Sequence, residues 1–314
     1  MTKIVSLLTL LVTVLVGLLP AAPAQALAAR TFVSAAGSDS NNCTNVATPC
    51  RHLATAYAAT AADGEIYVLD PANYGSLTIT HGVSIEGHGW ASIAPVSGQP
   101  AITIIANTGD KINIIGVVLD GTALTGTTGI VFNGGGSLHI QDSVIRNFGS
   151  EGGIFFQPNA SSQLSVSNTL ISDNAADAIL IFPLGSGTTS GVLDHVVMEN
   201  NADAGLDVSS STQAVNVTVS DSVLANNQDG VTIVSNGGPV EVMVRNCTIA
   251  NNTNVGLGAN TTTNGANIWV TRSTITGNGT GWSVLNSGAV TSYADNNIDG
   301  NTNANTAPPQ IGYK

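Results

Sequence analysis

Asp173, Asp177, Glu199 and Asp203, with Asp207 close behind, crowd the middle of the chain. Carboxylates at recurring intervals can hold a hard cation, trade protons as general acid and base, or face water. Asp173 and Glu199 read as the same phase of successive copies of a repeat. If those copies stack at strand spacing, the charges repel unless water screens them or a cation bridges them. One Ca²⁺ between coils, with Asp173, Asp177, Glu199 and Asp203 as candidate ligands, satisfies that arrangement; a solvated acidic edge is the competing expectation. Acid–base cleavage of a glycoside requires two carboxyls at a set separation across the sugar, which sequence spacing does not supply.

Other side chains offer less. Trp90, Trp269 and Trp282 are large flat surfaces suited to stacking on sugars. Trp269 sits between Ile268 and Val270, so it is expected to point outward and is the glycan-stacking candidate. Trp282 replaces an inward aliphatic residue. His195 reads as a hydrogen-bonded substitution in a Ser/Thr column rather than a base. Cys247 takes the place of Ser143, Thr169, Ser222 and Ser273 and reads as a small buried residue. Cys43 and Cys50 are expected to form a local disulfide.

These residues are positioned by a repeated phrase: LHIQDSVIRNF from Leu138, LSVSNTLISDN from Leu164, SGVLDHVVMEN from Ser190, VTVSDSVLANN from Val217, VMVRNCTIANN from Val242 and IWVTRSTITGN from Ile268. Its markers, Ile145, Ile171, Val197, Leu224, Ile249 and Ile275, recur at nearly equal intervals of about 26 residues, a period typical of stacked repeats. Gly153-Ile154, Ala178-Ile179, Gly205-Leu206, Gly230-Val231, Gly256-Leu257 and Gly281-Trp282 follow them. Such a unit has no helix and cannot bury its apolar side alone, so its copies must stack into one core. The fold class expected is all-β: a single-stranded right-handed parallel β-helix with a short N-terminal capping helix. An Asn in five of the six copies (Asn174, Asn200, Asn227, Asn252 and Asn278) reads as a structural ladder, its amides satisfying the turn backbone and one another.

Composition agrees. Only 8 of 314 residues are Lys or Arg against 20 acids, giving a net charge of −12 and no basic face for nucleic acid. Residues 1–28 read as a secretory signal: Lys3, an apolar run from Ile4 to Leu19, then an Ala-rich exit too soon for a membrane span. Residues 29–64 read as strand, cysteine loop and capping helix (Arg51 to Ala62), residues 65–301 as the β-helix and 302–314 as a tail. A monomer without a transmembrane span in the mature chain is expected, secreted and extracellular, with the cell surface or the periplasm as alternatives.

With TFVSAAGSDSNNC, PCRHLATAYAATAADGEIYVLDPANYG and the later SxI…N…GI repeats in view, the chain resembles the pectate-lyase-like superfamily of right-handed parallel β-helices, in its broad branch of bacterial secreted repeat proteins. The resemblance covers about residues 31 to 300. It implies architecture firmly and activity weakly, because that superfamily holds lyases, hydrolases, epimerases, adhesins and non-catalytic modules. Its lyases use Ca²⁺ held by acids and an Arg as base, yet no Arg or Lys lies between Arg146 and Arg245. His81-Gly82 and His88-Gly89 resemble one element of the hydrolase site, but no Arg-x-Lys phrase accompanies them. The expectation is therefore a secreted, non-catalytic module that binds an extracellular polysaccharide or cell-surface component and needs no cofactor. A Ca²⁺-dependent pectate-type lyase is the alternative.

Overall fold

A computed structural model describes residues 27–263 and 265–312. All but the last two residues of the expected signal segment lie outside the described residues. From Ala28 onward the chain winds as a parallel β-helix, with every strand pairing recorded between successive coils parallel. Three faces result. The first runs from Ala28–Val33 through Thr60–Val68 to Ala289–Ser292. The second carries the short strands Val144–Arg146, Leu170–Ser172, Val197–Glu199, Val223–Ala225, Thr248–Ala250 and Thr274–Thr276. The third has nine strands among the described residues, from Leu77–Ile79 to Thr280–Asn286. The long strands Val83–Ile93 and Lys111–Asp120 bend across the corner and join the first two faces.

The alternating sequence dictates this packing, since residues two apart along a strand share a side. Ile145, Ile171, Met198, Leu224, Ile249 and Ile275 stack on the second face, and Ile154, Ile179, Leu206, Val231 and Leu257 on the third, all fully buried. A parallel sheet of this kind has no lateral apolar partner, so the interior column is the core.

The helix is shorter than expected, Leu53–Ala59 instead of Arg51 to Ala62. It stops because Thr60 is taken by the sheet: Ala28 pairs with Thr60, and the strand Thr60–Val68 follows without a break. Leu53, Ala56 and Tyr57 are buried in the common core, so the helix caps the open first coil. Cys43 and Cys50 are disulfide-bonded across the loop before it. At the other end the tail is fastened: Trp282 Nε1 donates to Thr306 O at 2.8 Å, and Ser292 pairs with Gln310.

One coil departs from the expected register. Ile171 pairs with Met198, not Val197, so this coil is longer by a single residue than the marker spacing suggests. Three assignments move with it. Asn201, not Asn200, belongs to the ladder; Asn200 is exposed at φ 57°. Val196 occupies the Ser/Thr column, its N–H donating to Ser222 Oγ at 3.0 Å, and His195 stands beside it in an exposed turn. Glu199 aligns with Ser172, so Asp173 and Glu199 do not share a phase.

Candidate functional site

Two turn columns take up the left-handed backbone that the winding requires. One holds Asp142, Asn168, His195, Asp221, Asn246 and Arg272, at φ from 47° to 54°. The other holds Asn147, Asp173, Asn200, Asn226, Asn251, Gly277 and Gly300. Asn and Asp tolerate this region because their short polar side chains bond locally. Asp173 is thus explained by its turn: it is exposed, and Ser172 Oγ donates to its Oδ2 at 2.7 Å. His195 Nδ1 lies 2.8 Å from Asp194 Oδ2, and that carboxylate raises the imidazole's pKa above its usual value.

The remaining acids gather elsewhere. Asp177, Asp203 and Asp207 belong with Asp229, a residue the spacing did not single out, where three successive coils enter the third face. Asp177 and Asp229 hold the same phase two coils apart, with Ala204 between them. Asp177 is 8% exposed, and its Oδ1 accepts the Ala204 N–H at 2.9 Å. Asp229 does the same for Val255 at 2.8 Å. Asp203 is exposed, and its Oδ1 accepts Gln228 Nε2 at 3.2 Å. Asp207 is half-buried, pairs with Leu180 and Thr232 on the outward side, and receives Ser209 Oγ at 3.0 Å.

This grouping has an electrostatic signature. Burial, reinforced by the charges of Asp207 and Asp203, pushes Asp177 up to about 7. Burial, with the charges of Asp203 and Asp229, pushes Asp207 up to about 6. Asp203 is raised by burial and by Asp229. Carboxyls that titrate near neutrality on an open face can exchange protons with a ligand. Beside them, Asp229, Thr232, Val234, Asn254, Gly258 and Asn260 line a shallow depression of about 220 Å³. Gly258 continues the outward column of Asp207 and Thr232, and its missing side chain deepens the floor.

The cation expectation finds no cage. Among the described residues, no group of three or more His, Cys, Asp or Glu side chains could hold a metal ion. Of the candidate ligands, Asp173 belongs to a turn and Glu199 ends a second-face strand, while Asp177 and Asp203 sit at the entrance to the third face. Among the described residues the four candidate ligands are therefore not gathered around one point.

The other candidates separate cleanly. Trp269 points outward as expected but is half-buried in a column between Met243 and Thr291. Cys247 is buried, and burial pushes its thiol up to about 11, which suits a packing residue and not a nucleophile. Trp90 is 46% exposed and belongs to an aromatic group on the first face that sequence spacing did not reveal.

With coils, faces and acids placed, comparison with known proteins identifies the class. The family described as "Right handed beta helix region" matches residues 82–268, and the chain belongs to it. Among solved structures, the crystal structure of pectate lyase Pel9A is similar with a TM-score of 0.62 and 16% identity, over 88% of this chain and 80% of that one. The A-module of the Azotobacter vinelandii mannuronan C-5 epimerase AlgE4 is a looser likeness, with a TM-score of 0.39 and 13% identity over 80% of this chain and 91% of that one. No curated protein matches the chain. The architecture is that of the pectate-lyase-like solenoids. Among the described residues no helix is long and apolar enough to cross a membrane.

Proposed function

We propose that the protein acts on an extracellular polysaccharide as a lyase, at the third face around Asp207, and that its substrate carries esterified uronate units. The observation that carries this reading is the pair of carboxyls held near neutrality, Asp177 at about 7 and Asp207 at about 6, on a fold shared with a pectate lyase.

In β-elimination a base removes the proton at C5 of a uronate unit, the C4–C5 double bond forms, and the C4–O bond to the neighbouring sugar breaks. The departing oxygen takes a proton. A base that titrates near the working pH is the efficient one. Asp207 meets that condition and faces outward. Asp177 is too enclosed to reach a sugar and acts through its charge, as Asp203 and Asp229 do.

Esterification follows from the same electrostatics. Four carboxylates repel a polyuronate, whereas an ester is neutral and makes its C5 proton more acidic without a cation. Secretion, carried by residues 1–28, gives the protein access to such a substrate. The test is the ultraviolet absorbance of unsaturated uronates released from methyl-esterified and de-esterified polygalacturonate, each with Ca²⁺ or with a chelator. Release from the esterified chain in chelator supports the reading. Release only from the de-esterified chain with Ca²⁺ overturns the ester assignment in favour of a cation-dependent lyase.

A second reading, a non-catalytic glycan- or surface-binding module, rests on one observation. The sequence between Arg146 and Arg245 contains no Lys or Arg, so the coils around Asp207 lack the permanent positive side chain that would stabilise charge developing on the uronate. Retention of the polysaccharide with no product under any of the four conditions favours it.

A further inference from the structure

The strand Val83–Ile93 is interrupted where Glu86 pairs with Ile115 and Ala91 with Val117, so the four residues Gly87–Trp90 stand opposite Gly116 alone. His88, at φ 55°, takes the left-handed backbone that a non-glycine residue enters at a cost, and Gly89 follows it at φ 81°. Gly116, at φ 65°, allows it, because a Cβ there would meet the backbone nitrogens of His88 and Gly89 at 2.8 Å. The result is an aromatic row on the outside of the first face. His88 lies 4.4 Å from Tyr67, Trp90 lies 5.6 Å from His88, and Phe32 meets Tyr67 edge-on at 6.3 Å between ring centres. The Arg30 guanidinium lies over Tyr67 at 5.9 Å and is ion-paired with Glu65. Glu86 adjoins Tyr67 in register. Trp90 remains 46% exposed.

We propose that this bulge is a second glycan-binding site, on a different face from Asp207, which takes a neutral pyranose chain. The rings of Trp90 and His88 supply flat apolar surfaces for the C–H faces of successive sugars. Glu65 and Glu86 supply acceptors for their hydroxyls. Charge selects the ligand: Arg30 and Glu65 neutralise one another, which leaves the Glu86 carboxylate beside the rings to disfavour a uronate. A protein partner would be expected to match a wider apolar patch than this narrow row.

The full mature chain is titrated with neutral hexasaccharides of glucose, xylose, mannose and galactose, and with hexagalacturonate, following tryptophan fluorescence and heat. At least one neutral hexasaccharide is expected to bind and hexagalacturonate is not. Trp90→Ala is expected to weaken binding at least tenfold at an unchanged melting temperature, and Trp90→Phe to restore most of it. Binding of no neutral hexasaccharide, preferential binding of hexagalacturonate, or full affinity in Trp90→Ala overturns the proposal. None of these readouts depends on cleavage, so this site and the lyase reading fail independently.

Discussion

The side-chain carbonyl of Asn278 accepts two hydrogen bonds from Asn252 in the preceding coil, one from its backbone N–H at 3.0 Å and one from its amide at 2.9 Å. The amide of Asn278 in turn donates to Ile249 O at 3.0 Å. The same connection runs through Asn174, Asn201, Asn227 and Asn301. Side chains thereby satisfy backbone groups that a tight interior turn would otherwise leave unpaired. Asn278→Ala strips partners from the Asn252 N–H and the Ile249 carbonyl at a fully buried position. It is expected to cost about 2–3 kcal/mol in chemical denaturation, with the exposed Asn200→Ala close to neutral. Equal effects from the two would contradict the corrected ladder.

The ladder also explains the Gly of each Gly-aliphatic phrase. A Cβ on Gly230 would stand 2.5 Å from Gly256 O and 3.1 Å from the Asn252 amide. Gly230→Ala must therefore displace backbone or ladder, and a loss of about 1–3 kcal/mol is expected. An unchanged denaturation midpoint would show that the coils separate more easily than the packing implies.

Stability should fall as pH rises through the weakly acidic range. Asp177 and Asp207 have folded pKa values of about 7 and about 6, above those of an unfolded aspartate. Between roughly pH 4 and 7 the folded chain therefore holds more protons than the unfolded one, and the unfolding free energy declines with pH. The penalty is absent below pH 4 and fully developed above 7. The carboxyls lowered by their partners, such as Asp120 and Asp194, act in the opposite sense in the more acidic range. Thermal melts at pH 5 and 7.5 should differ by about 2–4 kcal/mol in stability in favour of pH 5. Asp177→Asn, which keeps an acceptor for the Ala204 N–H, should shrink that difference. A protein more stable at pH 7.5, or a difference that survives the substitution, would refute the electrostatic account of the cluster.

Much of this molecule is legible from its repeat. The alternation and the near-constant period lead to the parallel coils, the inward aliphatic columns and most of the Asn ladder, and the close spacing of Cys43 and Cys50 in a turn-rich loop leads to their disulfide. The slip in one coil has a local cause: Val196, Val197 and Met198 are consecutive apolar residues, and Asn200 and Asn201 are adjacent, so the shorter and the longer coil fit the pattern equally well. The break in the Ser/Thr column at Val196 marks the longer coil. The acid group was half legible. Asp177, Asp203 and Asp207 stood out as charges, but Asp229 joins them only through stacking of alternate coils, while Asp173 belongs to a turn and Glu199 ends a second-face strand. The Trp90 row was hidden because a bulge breaks the period that makes the rest readable.

The lyase reading centres on Asp207, and it is tested most directly by the initial rate of unsaturated-product release from methyl-esterified polygalacturonate by the wild-type protein and by Asp207→Asn. The account predicts measurable release by the wild type and a loss of about 10²-fold or more in the variant, with the melting temperature maintained. No release by the wild type, or an undiminished rate in Asp207→Asn, would contradict it.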